Sequence, residues 1–303
     1  FGNEFQHCFA VKANPIMGVL ETIVSNGLGL ECASQEEVHL ALAAGCNPDL
    51  VLHDGPAKTR AEIDECLSLG IRLILNDSIE VNRTMESSEL EMSTSSIAVR
   101  VNPLIGYGSN LKTSVSVPDS KFGIPLNESN EILNLYQEHQ RLNGIHIHPG
   151  SQGIALERMI ESVRRIMEIT TEIEASRDNR LDWIDIGGGM AFDYQHGRPD
   201  PGFREYADGL QREVPDLFDG RKILTEFGRS LVAGSAAAVS KVEKVWRREG
   251  LQNILIHLGS DLFIRWALNP DDWHHRITSD IEGEKEQTIV HGPLCYNGDR
   301  LGS

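Results

Sequence analysis

Short β-rich runs alternate with helical patterns along most of the chain, and this alternation limits the available folds more than any other feature. The runs are 7–12, 28–32, 50–53, 71–75, 97–102, 144–148, 181–186 and 222–226. They are dense in Val, Ile, Leu and Phe, as strands buried on both faces are. Helical patterns lie between them at 34–44, 59–69, 128–141 and 155–175. Ser34 with Glu37 and Thr59 with Glu62 have capping-box spacing, and Gly45 and Gly70 stand where C-terminal caps belong. Eight βα units predict a closed (β/α)8 barrel, with a doubly wound open sheet as the alternative. The count of eight and the chemistry of the strand ends favour the barrel.

The pattern changes after residue 234. Residues 235–248 and 251–258 read as strands with no helix between them. We therefore expect a barrel over 1–234 and an incomplete β domain, of sandwich or Greek-key type, over 235–303. The segment 103–127, rich in Gly, Ser and Pro, is expected to be a loop over the barrel mouth, and 84–96 an exposed linker. The chain opens on Phe1 and reaches its first strand at once. We expect the natural protein to extend beyond both ends.

A net charge of −17 disfavours nucleic acid and anionic membranes as partners. No apolar run is long enough to span a bilayer. The five cysteines are scattered, without the spacing of a metal site, so no metal and reduced thiols in a cytoplasmic setting are expected.

In a (β/α)8 barrel the chemistry sits at the C-terminal ends of the strands. Here those ends carry Lys12, Glu31, His53-Asp54, Asn76-Asp77, Arg100, His148, Asp185 and Glu226. A lysine closing a buried strand is uncommon, although its head can also snorkel into solvent. Desolvation would suit it to Schiff-base chemistry. Gly187-Gly188-Gly189 follows the seventh strand, where successive backbone N–H groups can approach an anion. Gly228 and Arg229 follow the eighth, and Arg229 could complete a phosphate clamp. His148, followed by Ser151, could lie flat on a planar ring. His146 points to the same side as His148 but lies deeper, so only His148 is expected to meet a ligand. A lysine, a phosphate cradle, a ring-facing histidine and a strand-eight carboxylate together point to pyridoxal 5'-phosphate.

These motifs give the chain a resemblance over nearly its whole length. FAVKANP (9–15), ECAS (31–34) with Glu37, GPAKT (55–59), SKFGI (120–124), HPGSQ (148–152), DIGGG (185–189), EFGR (226–229) and GPLC (292–295) with Asp299 occur in one order. In that order they resemble the fold-type III pyridoxal-phosphate decarboxylases, the ornithine, diaminopimelate and arginine decarboxylase group. The resemblance implies that Lys12 holds the cofactor, His148 stacks on it and Glu226 meets its pyridine nitrogen. It also implies that Glu31, Glu37 and Arg100 belong to the polar shell. Gly187, Gly188, Gly189, Gly228, Arg229 and Ser151 would surround the phosphate. Cys295 would enter the site of a neighbouring subunit in a homodimer and return a proton to the substrate carbon. Four positions depart from the family: Glu31 replaces Asp, Phe227 replaces Pro, Asn269 replaces Tyr, and Tyr296 replaces an acidic residue.

The substrate signals are mixed. Arg265 lies in a segment resembling the one that binds a substrate carboxylate in diaminopimelate decarboxylases. After the cysteine those enzymes carry Glu, and ornithine decarboxylases Asp, to hold a distal amine, where this chain has Tyr296. Arg265, Tyr296 and Asp299 are the expected substrate contacts. A diaminopimelate decarboxylase-like activity is the first expectation, and decarboxylation of another amino acid the second. A non-catalytic homologue that binds the cofactor or a partner, and a racemase, are the remaining alternatives.

Overall fold

Parallel strands covered on both faces need a second layer to bury them, and the helical segments supply it. A computed structural model of the 303-residue chain describes residues 1–106, 114–265, 277–280 and 286–302. Eight parallel strands close on one another: β1 Phe5–Ala10, β2 Gly29–Cys32, β3 Val51–His53, β4 Arg72–Leu75, β5 Ile97–Asn102, β6 Leu142–Ile147, β7 Trp183–Asp185 and β8 Lys222–Phe227. β4 pairs with β5 and β8 with β1, so the sheet has no free edge along this ring. Each strand is followed by a helix: α1 Met17–Ser25, α2 Gln35–Ala43, α3 Arg60–Leu69, α4 Ser78–Met85, α5 Ser129–Glu138, α6 Leu156–Ala175, α7 Phe203–Glu213 and the single turn α8 Arg229–Val232.

Four of these helices, α1, α4, α7 and α8, lie outside the helical segments quoted from the sequence. The first residues of the segment expected to be a linker belong to α4. Thr59 and Glu62 form a full capping box on α3. Ser34 caps α2 through the Glu37 N–H, but the Glu37 carboxylate takes the N–H of Ala33 rather than that of Ser34.

Strand alternation sorts the core into two layers. Outward residues such as Phe9, Leu30, Val51, Leu73, Val99, Ile145, Ile184 and Ile223 pack under the helices. Inward residues Leu52, Ile74, Ala98, Trp183 and Leu224 fill the barrel. Gly144 is part of that filling by omission: a Cβ there would lie 2.1 Å from Trp183 Cε2. Two residues further along the strands, the inward positions become Asp54, Asn76, Arg100, Asp185 and Glu226. The apolar layer is thus the floor of a polar one.

The chain divides into two compact units. The barrel comprises Phe1–Asp193 and Arg198–Val232; the other comprises Tyr194–Gly197 and Ala233–Ser303. The second unit holds a sheet of β9 Val242–Arg248, β10 Leu251–Ile256, β11 Thr288–His291 and β12 Arg300–Gly302, in that order. β9 and β10 form a hairpin turned by Glu249 and Gly250, whose φ values of 51° and 82° suit the primed turn that matches strand twist. The first of these strands starts at Val242, so 235–241 is not strand as the sequence pattern predicted. Among the described residues no helix is long and apolar enough to cross a membrane.

Candidate active site

Lys12 lies just past β1, in the 3-10 turn Val11–Ala13, rather than on the strand itself. Its Nζ donates to both oxygens of Glu31, at 2.7 Å each. The lysine side chain is 49% exposed, whereas Glu31 is fully buried. Burial acts against the Lys12 charge, but Glu31, then Glu226 and Asp54, raise its pKa above the ordinary value. Burial dominates at Glu31, and with Lys12 opposing it the carboxyl is pushed up to about 7. The pair therefore holds protons that can move near neutral pH.

A second buried pair lies further round the barrel. Arg100 Nη1 donates to Asp54 Oδ2 at 2.7 Å. The Arg100 guanidinium also stands 4.6 Å from the centre of the Phe122 ring. SKFGI thereby acts by pinning Arg100. Gly123 accepts no Cβ, because φ is +71° and a Cβ would come within 3.0 Å of Arg100 Cγ. GPAKT acts one step away. Lys58 and Glu80 form an ion pair at 2.9 Å with both side chains at most 3% exposed. Glu80 also accepts the backbone N–H groups of Lys58 and Asn76, tying the ends of β3 and β4.

Glu226 is the centre of the opposite wall. Its Oε2 lies 3.4 Å from His146 Nε2 and 3.5 Å from His148 Nδ1. Burial would raise this carboxyl. The histidines, His146 first, outweigh it and hold Glu226 well below the usual carboxylate range. Its Oε1 is buried and has no hydrogen-bond partner among the described residues. Asp185 moves the other way. Burial and then the Glu226 charge push it well above the usual range.

The glycine run is shaped by close approach. Cβ atoms on Gly187, Gly188 and Gly189 would lie 2.4, 2.2 and 2.4 Å from the carbonyl oxygens of Ile147, Glu226 and Gly150. Two of the three N–H groups are already engaged. Gly187 donates to Asp185 Oδ1 at 2.8 Å and Gly188 to His148 Nδ1 at 3.2 Å. The run therefore builds the wall around His148. Gly228 packs under the lysine turn, where a Cβ would meet those of Ala10 and Ala13 at 2.9 Å. Arg229 opens α8 directly after it, and Ser151 follows His148 on the loop after β6.

Several sequence-based expectations fall elsewhere. His53 points outward, is pushed down to about 4 by burial, and meets Cys66 Sγ at 3.6 Å. Asp77 caps α4. Glu37, expected in the polar shell, is used in capping α2. Phe227 packs against Phe203, with ring centres 5.0 Å apart, outside the polar layer. His146 was passed over because it lies two residues before the strand end, yet it is wholly buried against Glu226. The signal for it was its alternation with His148.

The second unit carries the remaining expected residues. Cys295 and Tyr296 are exposed. Asp299, expected to contact substrate, is instead buried and spent on this loop. Its Oδ1 accepts the N–H and hydroxyl of Ser260 at 2.6 Å, and its Oδ2 the Leu294 N–H at 2.8 Å. Arg265 is exposed, and Asn269 lies outside the described residues.

Comparison with known proteins agrees with this geometry. Residues 1–233 match the family described as pyridoxal-dependent decarboxylase, pyridoxal binding domain. The diaminopimelate decarboxylase of Archaeoglobus fulgidus is 31% identical over 309 residues, covering 97% of this chain and 71% of that one. The Neisseria meningitidis serogroup A enzyme of the same name is 31% identical over 305 residues, covering 97% and 72%. The crystal structure of diaminopimelate decarboxylase from Helicobacter pylori complexed with L-lysine superposes with a TM-score of 0.87 at 25% identity, covering 98% of this chain and 74% of that one.

Proposed function

The chain belongs to the pyridoxal-dependent decarboxylases, and on that premise we propose that it acts on an amino acid of the diaminopimelate type. The observation that carries the reading is Glu226 Oε1, an oxygen of an ionised carboxylate, buried and without a partner. Such an atom calls for a charged N–H donor, which a protonated pyridine nitrogen is. Bound pyridoxal phosphate supplies the electron sink for the carbanion left when CO2 departs.

The chain's own residues divide the remaining work. Lys12 holds the cofactor, and Glu31 pairs with the Lys12 ammonium and orients it. Arg100 and Asp54 keep the floor of the site neutral. His148 offers its flat face to the ring. Gly187, Gly188, Gly189, Gly228, Arg229 and Ser151 surround the phosphate. Arg265 and Tyr296 meet the substrate, and Cys295 holds the proton that replaces the carboxylate. We place these last residues in a site shared between the two subunits of a homodimer, and the protein in the cytoplasm.

Lys12→Ala tests the assignment. It should abolish CO2 release and the absorbance of lysine-bound cofactor together, and persistence of that absorbance would sink the lysine role. A CO2-release panel of meso-diaminopimelate, lysine, ornithine and arginine tests the substrate. Tyr296 favours a second reading, an amino acid without a distal ammonium, because a phenol offers that charge no counter-ion. Turnover confined to substrates lacking a distal amine would select it.

A further inference from the structure

Four buried carboxyl groups face the inside of the barrel at this end: Glu31, Asp54, Asp185 and Glu226. Two cations answer them. Lys12 takes Glu31 and Arg100 takes Asp54, each at 2.7 Å. Asp185 and Glu226 are left, and they separate, with Asp185 favouring its protonated form and Glu226 its ionised one. A buried carboxylate without a cation needs a donor to hold it.

Two histidines reach Glu226, but only one can donate. His148 Nδ1 accepts the Gly188 N–H. A ring nitrogen that accepts a hydrogen bond carries no proton, so its 3.5 Å approach to Glu226 Oε2 is not a donation. His146 Nε2 lies 3.4 Å from the same oxygen, on a wholly buried ring. Its backbone pairs with Arg100 on β5 and Asp185 on β7, so all three side chains face inward. His146 Nδ1 and Asp185 Oδ2 are both buried without a partner.

We propose that His146 is a positioning residue: its Nε2–H donates to Glu226 Oε2, keeping Glu226 ionised and leaving Oε1 to receive the cofactor's ring N–H. The inference rests on the function proposed above and deepens it. The groups facing His146 are Cys8 and Lys12 from β1 and its turn, Glu31 from β2, Asp54 after β3 and Arg100 from β5. His148 follows on its own strand, Asp185 faces it from β7 and Glu226 from β8. The Arg100 charge is answered by Asp54. Without that donor the buried Glu226 takes up a proton, and a neutral carboxyl no longer holds a cationic ring nitrogen.

The test loads wild type, His146→Leu and His146→Gln with pyridoxal phosphate labelled with 15N in the ring. Wild type should give a protonated ring-nitrogen shift that is constant between about pH 6 and 9, well below deprotonation of a carboxylate-bound pyridinium. H146L should lose that protonation as pH rises, and H146Q, which keeps a neutral donor, should restore part of it. kcat should fall about 10²-fold in H146L with KM within about threefold, because the lost interaction acts on the transition state. A ring nitrogen that stays protonated in H146L overturns the inference. If H146L does not fold, 15N spectra of the wild-type histidines decide: a protonated His146 Nε2 supports the inference, and an unprotonated one refutes it. A wild-type chain that takes up no pyridoxal phosphate refutes the proposed function itself. Uptake with normal ring protonation in the variants refutes the role of His146 alone.

Discussion

Replacing Glu80 by Ala should unfold the barrel more readily than the loss of one side chain suggests. Lys58 and Glu80 are 1% and 3% exposed, so the ammonium left behind has no water to turn to. Orphaning one member of such a pair costs about 3–5 kcal/mol. The change also strips an acceptor from the backbone N–H groups of Lys58 and Asn76. Relaxation of the lysine, which also donates to the Gly55 carbonyl, offsets part of this. A net loss of about 4 kcal/mol follows, or roughly 8–16 °C in Tm for a barrel of this size. Urea and thermal unfolding followed by circular dichroism measure it. The control is Lys58→Met with Glu80→Met, which removes both charges and should cost less than E80A alone. E80A within about 1.5 kcal/mol of wild type, or a double variant as unstable as E80A, would refute the reasoning.

Three further outcomes are expected. Because Glu31 stabilises the charged form of Lys12, cofactor uptake should quicken with pH, approaching tenfold per unit as the neutral amine fraction grows; Glu31→Gln should be faster at each pH in stopped-flow absorbance, and an equal or slower rate would contradict the pairing. Asp185 binds a proton more tightly folded than unfolded, so its contribution to stability is lost as pH rises through its folded pKa. Asp185→Asn should therefore gain on wild type as pH rises above the ordinary Asp value of about 4, by up to about 1.4 kcal/mol per unit, and parallel stability curves would exclude this. Gly144→Ala drives a methyl against Trp183 and should cost about 1–3 kcal/mol, with Trp183→Phe restoring part of the loss in the same unfolding assay.

The barrel was legible because strands covered on both faces must be apolar throughout. The run 97–102 was read to the residue, and 28–32 and 222–226 to within one. α4 was not legible. Its apolar positions are few, Ile79 is 61% exposed, and what holds the helix in place is the buried Glu80, which no apolar pattern reports. At the candidate site, the strand-end rule points to Lys12, Glu31, Arg100, His148 and Glu226, which the structure gathers at one end of the barrel, but it treats depth as irrelevance. His146 acts from one layer down, through the side chain of another residue. Asp299 was misread for the complementary reason: a carboxylate beside a functional loop looks the same in sequence whether it faces substrate or fastens the loop.

The long connection after β5 is fastened at both of its ends. Gly106 donates its N–H to the Ser116 carbonyl at 3.0 Å, and Asn76 on the neighbouring β4 end bonds Lys121 and Gly123. Residues between the two fastenings can therefore be added or removed without shifting the register of Phe122 over Arg100. Loop closure grows more costly only slowly with length, by about 0.6 kcal/mol per doubling. Changes of length in that connection can thus be tolerated while the Arg100–Asp54 pair beneath it stays in place.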